Sequence, residues 1–171
     1  MTSLPLRRPG FSLLELVVVM ALVSVLAGAI APSLGERLAR ARDARRLVDV
    51  QAVREALEEY KLVHGTYPVG QESAAYGGWD VSHDGGFLPE LQREGFLTSA
   101  VADPKNDETH HYRFHRYAAG TYGCAAGDDF YVLGIRTWET DTYRTQHRGF
   151  FSCSGRNWSD EFDWVAAGLT Q

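Results

Sequence analysis

Residues 7–35, RRPGFSLLELVVVMALVSVLAGAIAPSLG, place one carboxylate inside an otherwise apolar run. No charged residue occurs from Leu16 to Ala31. A helix over the 21 residues from Phe11 to Ala31 would be about 31 Å long, close to the hydrocarbon thickness of a bilayer. Because a carboxylate costs about 2.5–3.5 kcal/mol at mid-membrane, Glu15 needs a function or a partner.

Three interpretations account for this apolar run. It is a plain single-pass anchor, or it is an ordinary secretory signal whose mature chain begins near Ser33. In the third interpretation the chain is cut between Gly10 and Phe11 and keeps the helix. Only this last one gives Glu15 a partner, the new α-amino group of a neighbouring copy. Their attraction is stronger in low dielectric than in water, although desolvation offsets part of it.

The segment RPGFSLLE, residues 8–15, resembles the class III signal of type IV prepilins and type II secretion pseudopilins. In that family a basic leader ends in glycine, a membrane peptidase cuts after it, and the new N-terminal phenylalanine is methylated. The resemblance implies cleavage between Gly10 and Phe11, N-methylation of Phe11, and a role for Glu15 in filament assembly. It also implies that residues 1–10 are a leader and that residues 11–32 form a transmembrane helix that later packs in the filament core.

The helix is expected to continue beyond Pro32 as an amphipathic segment, residues 33–65. Proline removes a backbone donor and clashes with the preceding turn, so Pro32 predicts a kink; pilins often carry a proline at this place. Apolar residues then recur every three or four positions in two stripes. The first stripe contains Leu34, Leu38, Ala41, Ala44, Val48, Ala52, Ala56, Tyr60 and Val63. The second contains Leu47, Val50, Val53 and Leu57.

Several arginines cluster in this amphipathic segment, at Arg37, Arg40, Arg42, Arg45 and Arg46. They compete with the basic leader under the positive-inside rule, so the N-in orientation follows from the resemblance and not from charge. One interpretation of the cluster is a solvated helix face. The other is that these side chains meet acidic surfaces of neighbouring subunits.

The run YKLVHGTYP, residues 60–68, predicts the end of the long helix. Gly65 suits a left-handed C-terminal position, and Pro68 cannot continue a helix. This run resembles the one that closes the long helix of type II secretion major pseudopilins.

The remaining residues predict a β-rich head. Residues 66–110 are punctuated by glycine and are expected to be a connecting region, with a short helix within residues 87–97. Residues 111–171 are expected to form the head with a C-terminal segment, with strands near residues 112–117, 130–138 and 149–153. The predicted fold class is α+β: a long N-terminal helix, half transmembrane and half amphipathic, packed against an antiparallel sheet, as in pilins.

The chain has two cysteines, Cys124 and Cys153. A small even number is compatible with one disulfide outside the cytoplasm, which would remove about 3.6 kcal/mol of unfolded-chain entropy. Two unrelated buried thiols are the alternative. Many pilins have a disulfide in this part and type II major pseudopilins mostly lack one, so pilus and pseudopilus both stay open.

No catalytic site and no metal site is predicted. Residues 80–85, DVSHDG, begin like a calcium loop, but its twelfth position is Leu91 and not a bidentate glutamate. Other oxygen donors occur at Asp103, Asn106, Asp107, Asp128 and Asp129. Major pseudopilins bind calcium in the head, so the resemblance leaves calcium open as a cofactor. His111 and His115 would lie about 13 Å apart on one strand face, too far to share an ion.

The net charge of −5 argues against nucleic acid as the main partner. The sequence predicts a non-enzymatic structural subunit of a type IV pilus or a type II secretion pseudopilus. The resemblance implies a homo-oligomeric filament, with prepilin peptidase, an inner-membrane assembly platform and minor pilins as partners. It implies a single-pass inner-membrane location before assembly and a periplasmic or cell-surface filament afterwards. The alternative is a secreted or membrane-tethered binding domain or enzyme with an ordinary signal peptide.

Overall fold

The computed structural model describes residues 11–124 and 127–168, with all their side chains except those of residues 29–33. Gly10 and the rest of the predicted leader lie outside the described residues. The chain divides into two compact units, Met1–Leu38 and Ala39–Gln171. In the first unit, the described residues from Leu13 onward are helical.

The helix α1 (Leu13–His64) begins two residues after Phe11 and extends into the second unit. Leucine, alanine, glutamate and arginine, which have high helix propensity, make up more than half of its sequence, and valine is also frequent. It ends where Gly65 adopts a left-handed φ of 76° and donates its N–H to the carbonyl oxygen of Lys61 at 2.8 Å. Only glycine takes this conformation without strain. The predicted end of the long helix is therefore confirmed.

Among its described residues, the second unit also contains six strands and two short α-helices after α1. In chain order these are β1 (Asp80–Val81), α2 (Pro89–Arg93), β2 (Tyr112–Tyr117), β3 (Phe130–Ile135), α3 (Asp141–Gln146), β4 (Ser152–Cys153), β5 (Arg156–Asn157) and β6 (Trp164–Gly168). The main sheet is antiparallel with strand order β1–β2–β3–β6, and β4 and β5 form a separate hairpin. Tyr112 lies opposite Ile135, and Leu133 lies opposite Ala166.

One face of the sheet packs on the C-terminal half of α1. Val50, Val53 and Leu57 of the helix are fully buried, and they share a core with Phe114 and Leu133 of the sheet. Apolar burial of this kind contributes about 25 cal/mol per Å² removed from water. The predicted α+β class, a long helix packed against an antiparallel sheet, is confirmed.

The opposite face of the sheet is covered by the C-terminal segment. Phe130 and Val132 point into a second core with Trp158 and Phe162. Gly134 is required in β3 because a side chain at this position would overlap the ring of Phe162. Aromatic residues thus fill the outer layer of the head.

The two apolar stripes of α1 have different surroundings. The second stripe lies in or against the core, and from the first stripe Ala56 and Tyr60 pack there too. Val48 and Val63, however, are 63% and 69% exposed. The head therefore leaves these two apolar residues of the first stripe uncovered.

Some strand predictions also differ from the structure. β3 ends at Ile135 and does not extend to Trp138 as predicted. The backbone N–H of Trp138 donates to the carboxylate of Asp163 at 2.8 Å and not to a neighbouring strand. The strand expected at residues 149–153 is reduced to β4, outside the main sheet. Neither edge strand of the main sheet, β1 or β6, was predicted. β1 has two residues within the expected connecting region, and β6 contains small residues that lack a β-branched pattern.

Candidate functional site

The described residues of the predicted processing motif begin at Phe11, just before the first turn of α1. Phe11 and Ser12 precede the helix, and Leu16 donates its N–H to the carbonyl oxygen of Ser12 at 3.2 Å. Glu15 lies in this turn, where the partial positive charge of a helix N-terminus favours a carboxylate. Glu15 is exposed, and no hydrogen bond or ion pair joins its carboxylate to another described residue.

The apolar side chains around Glu15 are exposed on every side of the helix. Phe11, Leu13 and Leu14 are 82%, 81% and 73% exposed, and the apolar residues from Leu16 to Leu26 are also exposed. A helix that is apolar all round is typical of a segment buried in a larger assembly or in a membrane. This part of the chain therefore presents an apolar surface that is stable only when lipid or other molecules shield it from water.

Within the described side chains, which stop at Gly28 and resume at Leu34, no helix is long and apolar enough to cross a membrane.

Pro32 lies within the bounds of α1, and its side chain is not described. The predicted kink at Pro32 and the transmembrane role of residues 11–32 stay predictions.

Arg46 is the centre of a buried ionic cluster between α1 and the head. Its guanidinium, fully buried, donates to both oxygens of Asp103 at 2.6 and 2.8 Å and to Asp43 at 2.7 Å. It also lies 2.8 Å from Glu139, which accepts two further bonds from Arg42 at 2.7 and 2.5 Å. Asp43 in turn accepts from the backbone N–H groups of Glu139 and Thr140.

The cluster shifts the pKa values of its members in the directions expected for buried ion pairs. The side-chain bond from Arg42 is the main reason why the pKa of Glu139 falls to about 2, since burial alone would raise it. Burial would lower the pKa of Arg46, but its bonds to Asp103, Glu139 and Asp43 raise it above its ordinary value. Both groups therefore stay charged at neutral pH.

The interpretation of the arginines as a solvated face is wrong for Arg42 and Arg46, which bind carboxylates inside the molecule. The other three, Arg37, Arg40 and Arg45, are exposed. A signal in the sequence was available. Asp43 and Arg46 have the same three- or four-residue spacing as Val50, Val53 and Leu57, so they lie on the covered side of the helix.

Cys124 and Cys153 form a disulfide, with 5.2 Å between their Cα atoms. The bridge joins the segment before β3 to the β4–β5 hairpin. The predicted disulfide is confirmed, and the alternative of two unrelated thiols is wrong.

Asp80, from the segment that begins like a calcium loop, and the histidines His111 and His115 make internal contacts. Asp80 is buried, and its Oδ2 accepts from the backbone N–H groups of Gln71 at 2.7 Å and Leu88 at 3.0 Å. His111 and His115 contact backbone carbonyl oxygens through Nδ1, each at 3.0 Å, and burial lowers the pKa of both. In the described part of the chain, no group of three or more His, Cys, Asp or Glu side chains is arranged to hold a metal ion.

Comparison with known proteins agrees with the motif and the fold. Residues 6–31 match the prokaryotic N-terminal methylation motif. The type IV major pilin protein PilE of Neisseria gonorrhoeae is 30% identical over 99 residues, which cover 58% of this chain and 59% of that protein. The type II secretion system core protein G of Escherichia coli strain K12 is 30% identical over 102 residues, 57% of this chain and 67% of that protein. The corresponding protein of Vibrio cholerae is 25% identical over 127 residues, 74% of this chain and 71% of that protein.

No solved structure matches the chain at a comparable level. The chain spans about three fifths of the length of the gonococcal pilin it matches. A methylation motif at the start of a long helix, followed by an antiparallel sheet packed on that helix, defines a protein of prepilin type. The chain belongs to the family of type IV pilins and type II secretion pseudopilins.

Proposed function

We propose that the chain is a structural, non-enzymatic subunit of a helical filament, a type IV pilus or a type II secretion pseudopilus. The observation that carries the proposal is Glu15, an exposed carboxylate without a partner among the described residues, on a helix whose apolar side chains are exposed all round. Such a surface is buried only when other molecules or lipid surround it. Family membership supports the same function.

Processing would create the partner of Glu15. Cleavage between Gly10 and Phe11 by a prepilin peptidase leaves an α-amino group on Phe11, which is then methylated. Phe11 and Glu15 are four positions apart, a separation that corresponds to a rise of about 6 Å along a helix. The amine of one copy therefore reaches the carboxylate of its neighbour when the two helices lie side by side with a small axial shift. The pair neutralises both charges in an apolar surrounding, where an unpaired charge is costly.

The location of the chain changes during assembly. Before assembly, residues 11–32 hold the subunit in the inner membrane with its N-terminus in the cytoplasm. Afterwards the same residues fill the core of a periplasmic or cell-surface filament, with the heads outside. An inner-membrane assembly platform and minor pilins are the proposed partners in this step. Contacts between different surfaces of identical subunits do not close and give a fibre.

Replacing Glu15 by alanine tests the pairing. Glu15→Ala is expected to leave membrane insertion intact, because it removes a charge from an apolar segment, and to abolish filaments in sheared material seen by electron microscopy. Glu108→Ala, at an exposed acidic residue of the head, is the matched control and should assemble normally. Normal filaments from Glu15→Ala would refute the pairing role.

The mass and N-terminal sequence of the purified mature chain test the processing step. Cleavage after Gly10 predicts a mature chain that begins with N-methylphenylalanine at Phe11. A mature chain that begins near Ser33 would instead support an ordinary signal peptide and a secreted domain or enzyme.

A further inference from the structure

Two arginines on the outer face of the main sheet have no carboxylate partner. Arg113 lies in β2 opposite Gly134 of β3, and the backbone N–H of Arg136 continues this pairing by donating to the carbonyl oxygen of His111 at 3.1 Å. Arg113 and Arg136 are therefore diagonal neighbours on one face of the sheet, with Cα atoms about 7–8 Å apart. Among the described residues, no carboxylate lies within ion-pair distance of either guanidinium.

Arg113 is held in place by groups that carry no negative charge. Its Nε donates to Nε2 of His111 at 2.9 Å, and its guanidinium carbon lies 5.1 Å from the ring centre of Tyr76. His111 is fully buried. Since Nε2 of His111 accepts from Arg113, its Nδ1 carries the proton and donates to the carbonyl oxygen of Asp107 at 3.0 Å. The terminal N–H groups of Arg113 make no hydrogen bond to a described residue, so they are available to a ligand.

The surroundings of Arg113 are electrically positive. Burial lowers the pKa of Arg113, and the charge of Arg136 lowers it further. Burial and the charges of both arginines also lower the pKa of His111. The carboxylate of Glu161 acts on the pKa of Arg113 in the opposite direction, but both of its oxygens accept from Arg156 at 2.7 Å. A half-buried guanidinium without an anion is costly, so an added anion would stabilise this part of the head.

An open cleft of about 730 Å³ adjoins the two arginines. Arg136 lines this cleft together with Arg148 and the ring of Phe162. Phe162 also lies over Gly134, which is opposite Arg113 in the sheet. Arg148 makes no ion pair with a described residue. The cleft therefore begins beside the arginine pair and carries a third positive charge on its wall.

The carboxylates in the wall of the cleft leave most of this positive charge uncancelled. Asp163 accepts from Arg144 at 3.1 Å, and Glu161 is bound by Arg156. Asp160 is exposed and accepts from the amide of Asn157 at 2.8 Å. Arginine thus occupies two of these three carboxylates, and Arg113, Arg136 and Arg148 keep their charges for a ligand.

Two guanidiniums on different strands suit a phosphate group better than a carboxylate. A planar carboxylate is satisfied by the fork of one guanidinium, whereas a phosphate group presents oxygens in several directions and can be bound by both. The charge also agrees, because a phosphate monoester carries about −1.5 to −2 at pH 7 and the pair of arginines carries two positive charges.

We propose that Arg113 and Arg136 bind a phosphate group, with the remainder of the ligand extending along the cleft beside Arg148. A soluble phosphate compound and the head group of a phospholipid offer the same chemistry to this site. The site lies in the head and uses neither Glu15 nor the apolar N-terminal segment. Its test is therefore separate from the tests of the filament function.

Titration of the full chain in a neutral detergent with inorganic phosphate tests the site. Binding is followed by NMR through the backbone amide signals of β2 and β3, at constant ionic strength set with sodium chloride. These signals should shift and saturate with phosphate, and acetate should bind at least about tenfold more weakly because it occupies only one fork. A response to phosphate that does not saturate, or acetate binding as tight as phosphate binding, overturns the proposal.

Single variants identify the arginines that bind. Arg136→Gln should weaken phosphate binding by at least about tenfold, and its fold should be unchanged, because the exposed side chain makes its internal bond only to the carbonyl oxygen of Glu161. Arg113→Lys keeps the charge but loses the fork, and it should weaken binding to a similar extent. Arg93→Gln, which removes an exposed arginine of α2, is the matched control and should bind like the unmodified chain. Equal affinities in Arg136→Gln and Arg93→Gln, with equal midpoints of urea unfolding, would rule out the site.

Phosphatidic acid added to the detergent micelles distinguishes the two sources of the phosphate group. If it shifts the same β2 and β3 signals in the unmodified chain but not in Arg136→Gln, the ligand is a lipid head group. If inorganic phosphate saturates the site and phosphatidic acid shifts nothing, the ligand is soluble. Shifts that persist unchanged in Arg136→Gln with both compounds would show that phosphate contacts the head elsewhere, and the assignment of this site would then be wrong.

Discussion

Replacing Arg46 by methionine should destabilise the folded chain by about 3–5 kcal/mol at pH 7, because it leaves the buried carboxylates of Asp103 and Asp43 without their cation. Both carboxylates and the guanidinium are fully buried, and the three bonds from Arg46 to them are 2.6–2.8 Å long. Methionine has a similar length and no charge, so the loss is mainly electrostatic and not a cavity effect. The backbone donors that Asp43 and Asp103 keep, such as Thr140 and Lys105, place the expected loss below that of an isolated buried charge.

The sign of the pH dependence makes this prediction specific. In the unmodified chain the pKa of Glu139 is lowered to about 2, so its stabilising contribution is present above the unfolded pKa and is lost only in strong acid. The contribution of Glu139 to stability should therefore be constant between pH 7 and pH 5. In Arg46→Met the carboxylates without a cation bind protons more strongly in the folded state. The stability difference between that variant and the unmodified chain should therefore become smaller as the pH falls from 7 to 5.

Urea unfolding of the full chain in detergent, followed by tryptophan fluorescence at pH 7 and pH 5, measures both effects. Arg45→Met is the matched control: the adjacent residue has the same charge but is exposed, so a loss below about 1 kcal/mol is expected. The double variant Arg46→Met/Asp103→Leu should recover part of the stability, because it removes a carboxylate together with its cation. A loss below about 1 kcal/mol for Arg46→Met, or the same pH slope in both proteins, would contradict the assignment of this cluster as buried and ionised.

Two further predictions concern the head. Burial raises the pKa of Asp80 to about 6, with the charges of Glu90 and Asp84 adding to it, so the ionised carboxylate weakens the fold above that pH. Asp80→Asn keeps an acceptor for the backbone N–H groups of Gln71 and Leu88, and it should be more stable than the unmodified chain at pH 8 by up to about 3 kcal/mol. This gain should disappear below about pH 4, and a less stable variant in urea unfolding at pH 8 would contradict the reasoning. Gly134→Ala should cost about 1–3 kcal/mol because its side chain would overlap Phe162, whereas Gly127→Ala, with open space around it, should be close to neutral in thermal unfolding; equal effects would refute the packing argument.

Local features of the fold were predictable from the sequence because short-range chemistry fixes them. The end of α1 follows from the left-handed conformation of Gly65 and from the proline that comes shortly after. The periodicity of Val50, Val53 and Leu57 gives a helix with one covered side. The fold class also follows, because such a helix followed by short strands has few ways to bury its apolar face.

Contacts between distant residues were not predictable in the same way. Arg46 and Asp103 are 57 positions apart, and nothing local marks them as partners. The same limit applies to the choice between the two apolar stripes of α1, since either could have faced the sheet. The short edge strands β1 and β6 depend on their neighbours for pairing, so tertiary context and not propensity determines them.

The disulfide has a consequence for a protein that is crowded among identical copies. The covalent ring from Cys124 to Cys153 encloses β3, which lies between β2 and β6 in the main sheet. A strand anchored on both sides by a closed ring can travel only a short distance from its own sheet. Exchange of this strand between neighbouring molecules, a hazard wherever the local concentration of one sequence is very high, is therefore restrained by a bond that no fluctuation of the sheet can break.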